Sequence, residues 1–183
     1  MNAPGPQPTG TRISIRAAEA SDLPRIRDIL NAEILSGTAS WGETPRSDGE
    51  MRAWLDARTE GGFPVLVATD GGAVAGYASF GPFRPGEGYR HTVEHSVYVA
   101  AGARRRGVAR ALMERLIAEA RARGLRRMVG GISADQGPSL ALHRALGFEE
   151  QGRLTGVGCK MGRSLDLALM VLALDGAAPD ASP

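Results

Sequence analysis

The chain has 183 residues, of which 43% are hydrophobic and 23% are charged. This is the composition of a globular protein, and the length suits one sizeable core but is short for two domains. The formal net charge of +2 excludes a polycation, and the single cysteine excludes an internal disulfide and is compatible with a reducing cytosol.

The two ends of the chain differ in composition from its centre. Residues 1–10 and 176–183 are rich in Pro, Gly and Ala, which predicts disordered tails on either side of a single domain at residues 11–175. The first ten residues lack the basic start and apolar run of a signal peptide, and no apolar run is long enough to span a bilayer. We therefore expect a cytoplasmic protein that does not contact a membrane.

The first third of the chain predicts one strand followed by two helices. Residues 11–18, TRISIRAA, alternate with period two, as a half-buried strand does. Residues 21–35 then carry a helical stripe of Leu and Ile, with Ser21 or Asp22 as the N-terminal cap. Residues 47–58 begin with the Ser-x-x-Glu spacing of a capping box and predict a second helix.

The rest of the chain alternates between predicted strands and helices. Residues 70–72, Asp-Gly-Gly, lie between two β-prone runs and predict a hairpin, because Gly accepts the positive φ of tight turns. A β-prone stretch at 89–99 precedes a helical stripe that ends at Gly124, and a later short helix ends at Gly147. The pattern predicts one α/β domain with a mostly antiparallel sheet early and strand–helix–strand crossovers later.

The most informative stretch is the turn that follows the strand at 89–99, whose residues are Arg104, Arg105, Arg106, Gly107, Val108, Ala109 and Arg110. Small residues let the backbone approach a ligand, and the first N–H groups of a helix have no partner within it. Such a turn holds an anion at the positive end of the helix. The turn by itself leaves a solvated basic helix start open as the alternative.

Two segments connect the chain to a known family. RRRGVA at 104–109 resembles the Arg/Gln-x-x-Gly-x-Gly/Ala signature with which the GNAT N-acetyltransferases bind the pyrophosphate of acetyl-CoA, and SLALHRALGF at 139–148 resembles a later helix of that superfamily. Further segments resemble the branch that acetylates phosphinothricin, methionine sulfone and methionine sulfoximine: NAEI, FPVLVA, GYASFGPFR, YRHTVEHSVYV and GRSLDL. The resemblance implies the GNAT fold, a mixed, mostly antiparallel sheet flanked by helices and split at the acetyl-CoA-binding strand.

The resemblance also implies where acetyl-CoA is held. The turn at 104–110 takes the pyrophosphate. A β-bulge is expected in the strand at 89–99, and it would free the backbone N–H groups around Val97, Tyr98 and Val99 for the thioester carbonyl and the pantetheine. Gln136 stands where the branch has an Asn that bonds the pantetheine arm, and Ser139 is assigned to the same site.

Glu94 is the predicted general base, because acyl transfer to an amine requires a proton acceptor and the resemblance places one here. It lies on the polar face of its strand, and a salt bridge to an arginine is the alternative. His95 shares the other face with Val93 and Val97, which favours a packed role over a catalytic one. His143 is implied as the acid that protonates the leaving thiolate, with a histidine on the helix surface as the alternative.

The predicted acceptor site lies in the loop before Glu94. Arg84 and Arg90 bracket that loop, and their guanidinium groups suit the carboxylate and polar head of a small amino acid. Solvated loop charges are the alternative for both. The other residues assigned to the acceptor site are Tyr89, Phe83, Trp41 and Glu33.

Other functions remain open from the sequence. The acceptor of an acetyltransferase could instead be a polyamine, an aminoglycoside or a protein N-terminus, although the loop arginines disfavour cationic acceptors. Nine arginines between residues 104 and 127 suggest a nucleic-acid patch, which the small net charge and the interleaved Glu114 and Glu119 disfavour. We expect no nucleic-acid partner and no metal, and the resemblance implies a homodimer.

Overall fold

The computed structural model describes residues 13–175, which form a seven-stranded mixed sheet with helices on both faces. The strands are β1 (Ser14–Ala17), β2 (Val65–Asp70), β3 (Ala73–Pro82), β4 (Thr92–Val99), β5 (Arg127–Ser133), β6 (Glu149–Lys160) and β7 (Arg163–Ala173). The helices are α1 (Leu23–Ser36), α2 (Asp48–Glu60), α3 (Val108–Ala122) and α4 (Gly137–Ala145). The predicted α/β class is confirmed, whereas the predicted tails lie outside the described residues.

The order of the strands is β1-β2-β3-β4-β5-β7-β6. Within the described residues, β4 and β5 are the parallel pair, and every other neighbouring pair is antiparallel. Helix α3 makes the crossover between β4 and β5, as a parallel connection requires. The early antiparallel sheet and the later crossovers are therefore both confirmed.

The sheet is split between β4 and β5. The two strands pair only from Thr92 to Glu94, and then diverge. The predicted β-bulge in β4 is wrong, because its register with β3 runs without a shift from Pro82–Val93 to Gly76–Val99. The split is therefore on the β5 side of the strand, where pairing ends after Glu94.

Each face of the sheet has its own core. Helices α1 and α2 cover one face through Ile26, Ile29 and Met51, which pack on Val67 and Tyr77. Helix α3 covers the other face, where its buried residues are Val108, Leu112, Met113, Leu116, Ile117 and Ala120. Within residues 13–175, no helix is long and apolar enough to cross a membrane.

The predicted helix caps have different outcomes. Ser47 and Glu50 form the expected capping box at the start of α2. Asp22 occupies the cap position of α1, but its carboxylate accepts hydrogen bonds from Arg16 at 2.6 and 2.8 Å and from the N–H of Glu19 instead of capping the helix. The bidentate Arg16 contact lowers the pKa of Asp22 and holds the carboxylate away from the helix.

Candidate active site

The gap between β4 and β5 exposes backbone donors. The N–H of Phe83 donates to the carbonyl of Thr92, which fixes the alternation of the ladder between β3 and β4. In such a ladder, alternate residues point their N–H groups to opposite edges of the strand. The N–H groups of Val97 and Val99 therefore point into the gap, beyond the last β5 pair at Glu94. The gap offers these donors without the predicted bulge.

Two buried histidines lie beside the gap. The rings of His95 and His143 stack with centroids 5.0 Å apart, and their Nε2 atoms are 3.2 Å apart. A Cβ on Gly130 would lie 2.7 Å from Nε2 of His95, so only glycine leaves room for this ring on β5. The predicted packed position of His95 is confirmed. His143 is 1% exposed, which excludes the alternative of a histidine on the helix surface.

The turn before α3 presents the start of that helix without a side-chain cap. Gly107 has φ of 82° and Arg105 has φ of 61°, both in the left-handed region. The N–H of Ala111 is the first to bond back, to the carbonyl of Gly107. The N–H groups of Val108, Ala109 and Arg110 precede that bond, and the first turn carries no acidic residue. The turn therefore has the backbone geometry of an anion site.

The arginines of the turn differ in their contacts. Arg104 pairs with Glu33 at 3.0 Å, and Arg106 pairs with Asp70 at 2.6 Å. Arg105 makes no ion pair within residues 13–175, and it is exposed. Two of the three arginines thus brace the turn against α1 and the β2–β3 hairpin. Glu33, which was assigned to the acceptor site, pairs with Arg104 and also accepts from the N–H of Ala39, so its carboxylate links the turn to the loop after α1.

A cavity of about 410 Å³ lies between the α1–α2 pair and the sheet. Its walls include Trp54 from α2 together with Tyr77, Ser96 and Tyr98 from the sheet. A smaller cavity of about 60 Å³ occupies the gap between β4 and β5, and Ser96 and Tyr98 line it as well. The two spaces therefore meet at these two residues. Trp54 lies within the predicted second helix, but the sequence did not show that this helix forms a cavity wall.

Glu94 lies beside this meeting point. It is two residues before Ser96 on the same face of β4, and its side chain is 38% exposed. Its Oε2 atom is 3.6 Å from Nη1 of Arg84. An ion pair between groups this exposed contributes about 0–1 kcal/mol. The predicted alternative, a salt bridge from Glu94 to an arginine, is thus present. The pair is too weak to prevent the Glu94 carboxylate from accepting a proton.

Comparisons with known proteins agree with this architecture. Residues 24–148 match the model of the acetyltransferase (GNAT) family. The chain belongs to the GNAT acetyltransferase family. Its members use acetyl-CoA, and the match covers β4, the turn and α3, where the split sheet and the anion site lie.

Three relatives illustrate the similarity of this GNAT chain to known acetyltransferases. It is 50% identical to the L-methionine sulfoximine/L-methionine sulfone acetyltransferase of Pseudomonas paraeruginosa over 88% of this chain and 95% of that protein. A phosphinothricin acetyltransferase from Sinorhizobium meliloti, solved with acetyl-CoA, is 40% identical with a TM-score of 0.87, covering 92% of this chain and 97% of that one. A ribosomal-protein-alanine N-acetyltransferase from Brucella melitensis is 48% identical with a TM-score of 0.86, and the match covers 87% of this chain and 99% of that one.

Hydrogen bonds define the protonation state of the two histidines in this GNAT chain. Nδ1 of His143 lies 2.7 Å from the carbonyl oxygen of Ser139, which can only accept, so Nδ1 carries the proton. Nε2 of a neutral His143 then accepts from Nε2–H of His95. Burial, together with His143, lowers the pKa of His95 to about 3, and burial lowers the pKa of His143. A neutral His143 carries its proton on Nδ1, which faces Ser139, so it has no proton to donate into the gap. Its predicted role as the acid therefore requires that the ring take up a second proton during turnover.

The buried histidines predict a pH-dependent stability. Below pH 6.5 the unfolded chain takes up protons on them, whereas the native protein excludes a proton from His95 down to about pH 3. The stability that comes from keeping His95 neutral is therefore fully present above pH 6.5, and it is lost as the pH falls toward 3. For His95 we expect the free energy of unfolding to fall by about 1 kcal/mol between pH 7.0 and 5.5, measured by urea denaturation.

The matched variants for this prediction are His95→Asn and His91→Asn, since His91 is exposed. His95→Asn should lower overall stability but reduce the difference between the two pH values by about 1 kcal/mol. His91→Asn should leave that difference unchanged. Equal pH dependence in the wild type and His95→Asn would show that burial does not exclude the proton.

The loop before Glu94 brings together only part of the predicted acceptor site. Arg84 stacks over the ring of Phe83 at 4.4 Å, and Phe83 contacts Tyr89 edge to face at 5.8 Å. Arg90 instead donates to the carbonyl of Glu87 within the loop. Trp41 is also placed differently, because its ring occupies the space where a Cβ on Gly158 of β6 would lie. The large indole packs against a strand position where any side chain would overlap it.

The segment at 37–42 contributes one wall to each of the two cavities. Ala39 lines the gap and Ser40 lines the larger cavity. The wall is held by side chains from distant parts of the chain. The N–H of Ala39 donates to Glu33 at 2.9 Å, and the buried Nζ of Lys160 donates to the carbonyls of Glu33 and Ser40. Sequence reasoning missed Lys160, the only lysine, because a lysine normally lies at the surface.

Gln136 braces the same wall. Its Nε2 donates to Oγ1 of Thr38 at 2.6 Å, and Thr38 in turn donates to Asp135 at 2.9 Å. Gln136 and Ser139 both line the smaller cavity, at the start of α4. The extra methylene of Gln, compared with the expected Asn, thus lets the amide reach Thr38. Whether it also bonds the pantetheine stays a prediction.

Proposed function

We propose that this GNAT chain transfers the acetyl group of acetyl-CoA to the α-amino group of a small amino acid with a polar or anionic head, such as L-methionine sulfone, L-methionine sulfoximine or L-phosphinothricin. One observation carries the proposal: the larger cavity and the gap between β4 and β5 meet at Ser96 and Tyr98, beside Glu94. The names of the Pseudomonas and Sinorhizobium relatives support this acceptor class.

The residues of this chain fit acetyl-CoA, which supplies an activated thioester when bound. We assign the pyrophosphate to the turn, where the N–H groups of Val108, Ala109 and Arg110 lie at the positive end of α3. The exposed Arg105 would add a positive charge. We assign the thioester and pantetheine to the gap, where Val97 and Val99 offer N–H donors.

The chemistry follows from these positions. Glu94 accepts the proton that the ammonium group of the acceptor must lose, directly or through a water. The amine nitrogen then bonds to the acetyl carbon, the bond from that carbon to sulfur breaks, and the nitrogen releases its second proton to solvent. The N–H of Val97 is placed to stabilise the negative charge that develops on the acetyl oxygen. The released thiolate takes a proton from solvent or from His143 once that ring has been charged.

A protein N-terminus is the second candidate acceptor. The name of the Brucella relative, at 48% identity, favours it. The cavity of about 410 Å³, bounded by Met51, Trp54 and Tyr77, has the size of a small-molecule site. A nucleic-acid partner is disfavoured because Arg115 and Arg123 pair with Glu119 along α3.

The edge strand β6 supports a homodimer. Leu154 and Val157 on this strand are 45% and 54% exposed, and Met161 in the following turn is 54% exposed. An exposed edge strand with apolar side chains is a template for pairing with a second copy. We propose that two copies associate along β6. A cytoplasmic location and the absence of a metal stay predictions.

A panel of acceptors tests the proposed function. The measurement is free-thiol release from acetyl-CoA with L-methionine sulfone, L-methionine sulfoximine, L-phosphinothricin, glutamate, methionine, spermidine, an aminoglycoside and a peptide beginning with Ala. We expect saturable activity with the first three and at least tenfold lower kcat/KM with the others, since pocket contacts discriminate by this order. Activity confined to the peptide, the polyamine or the aminoglycoside would overturn the acceptor assignment.

A further inference from the structure

Arg58 lies on the inner side of α2, one helical turn after Trp54. Its guanidinium rests on Gly81 of β3, because a Cβ built on Gly81 would overlap that group. Trp54 rests on the same strand, with its ring 6.0 Å from that of Tyr77. The helix thus lays Trp54 and then Arg58 along β3, and Trp54 lines the larger cavity. Arg58 therefore follows Trp54 along β3, one helical turn further from the start of α2.

The guanidinium of Arg58 has no anionic partner within residues 13–175. Its Nε is buried without a hydrogen-bond acceptor there, and the side chain takes part in none of the ion pairs between described residues. Burial lowers the pKa of Arg58 relative to a solvated guanidinium. Burying a cation without an anion is unfavourable. A bound anion would remove that cost.

The position of Gly81 relates Arg58 to the proposed site. Gly81 pairs with Glu94 across the β3–β4 ladder, and Ser79 pairs with Ser96 two residues earlier. Two residues of strand span about 7 Å, and paired side chains lie about 5 Å apart. Arg58 is therefore across the ladder from Glu94, one step beyond the point where the two cavities meet.

We propose that Arg58 binds the α-carboxylate of the acceptor amino acid. The α-amine and α-carboxylate of an amino acid are attached to the same carbon, so an amine at Glu94 places the carboxylate within reach of Arg58. The acceptor side chain would then extend past Ser96 into the larger cavity toward Trp54 and Met51. The planar fork of arginine suits both carboxylate oxygens.

Arg58 is better suited to this role than Arg84, one of the two loop arginines that the sequence singled out. Arg84 has a side chain that is 56% exposed and lies against Glu94 at 3.6 Å. Arg58 is half-buried, so its pairing with a carboxylate is less screened by water. This inference rests on the proposed function, because it requires an amino acid as the acceptor.

The test compares L-methionine sulfone with its α-carboxamide, which lacks only the carboxylate charge. The variants are Arg58→Gln, Arg58→Lys and the control Arg52→Gln, since Arg52 is an exposed arginine on the same helix. The readout is kcat/KM for each acceptor, expressed as the ratio of acid to amide. This ratio cancels general losses of activity, and KM for acetyl-CoA checks the cofactor site.

We expect Arg58→Gln to lower the acid-to-amide ratio about 30-fold, since it removes a charge-assisted contact. Arg58→Lys should restore part of the ratio, and Arg52→Gln should leave it unchanged. Equal losses for acid and amide, or no loss for either, would overturn the assignment. If Arg58→Gln does not fold, Arg58→Lys decides: a ratio equal to that of the wild type would overturn it, and a several-fold fall would support it.

The proposed function can fail separately from this inference. If the wild-type protein acetylates no amino acid in the panel, then the acceptor class is wrong. If it acetylates L-methionine sulfone and the acid-to-amide ratio is unchanged by Arg58→Gln, then only the role of Arg58 is wrong.

Discussion

Replacing Glu94 with Gln is expected to lower kcat about 100-fold while KM for acetyl-CoA changes by less than about threefold. General-base help typically accelerates a proton transfer by about 10²–10⁴-fold. Gln has the shape of Glu but cannot take the proton from the ammonium group. The cofactor residues lie further along β4 and at the turn, so acetyl-CoA binding should persist. Steady-state kinetics with L-methionine sulfone, from pH 6 to 9, measure both constants.

The matched control for Glu94→Gln is Glu87→Gln, which makes the same change in the loop before β4. The Glu87 side chain is exposed, so this variant should keep the wild-type kcat. Stability should also differ little between Glu94→Gln and the wild type, because the Arg84 ion pair contributes about 0–1 kcal/mol. Turnover that stays unchanged across the pH range would exclude Glu94 as the base.

Replacing Gly107 with Val is expected to raise KM for acetyl-CoA at least tenfold. Gly107 has φ of 82°, a conformation that a β-branched residue avoids. The substitution should shift the turn and move the N–H groups of Val108 and Ala109 away from the pyrophosphate. Loss of two such charge-assisted hydrogen bonds corresponds to about 3 kcal/mol or more, so tenfold is a lower bound. Acceptor KM should change little, because none of the residues of the turn lines the larger cavity.

Gly124→Val is the control that distinguishes a loss of acetyl-CoA binding from a general effect of backbone strain. Gly124 has φ of 67° and lies just beyond the other end of α3. A Cβ on either glycine would contact nothing within 4 Å, so the two substitutions carry the same kind of strain. We expect similar losses of thermal stability for both variants, but a raised KM for acetyl-CoA only for Gly107→Val. Equal KM values in the two variants would show that the turn does not hold acetyl-CoA.

Helices, the hairpin and the turn before α3 could be predicted from the sequence because their signals are local. The capping box at Ser47 and Glu50 and the glycines at 71–72 and 124 all lie within a few residues of the structure they specify. The arginine–glycine turn was equally visible, since a signature of six residues carries it. Family membership could be recognised for the same reason.

The contents of the site depended on contacts between distant residues. Arg58 looked like one more charge near the end of a helix until the fold placed it on Gly81, 23 positions later. Lys160 reaches the α1–α2 loop across 120 residues. The sequence assigned Glu33 and Trp41 to the acceptor site. The structure shows Glu33 paired with Arg104 and Trp41 packed against Gly158. No periodicity in the sequence encodes such pairs.

The strand that carries Glu94 shows which features the local sequence determines and which features require the tertiary structure. Alternation by itself determined that Glu94 and His95 face opposite sides of the sheet, because the side-chain period of a strand is two. Only the tertiary structure decided that the strand stays in register with β3 and opens toward β5. The resemblance implied a bulge in this strand, whereas the structure shows an unshifted register and two stacked imidazoles, from residues 95 and 143, beside Gly130. Local sequence thus determined the faces of the elements, and packing between distant elements determined the spaces where chemistry takes place.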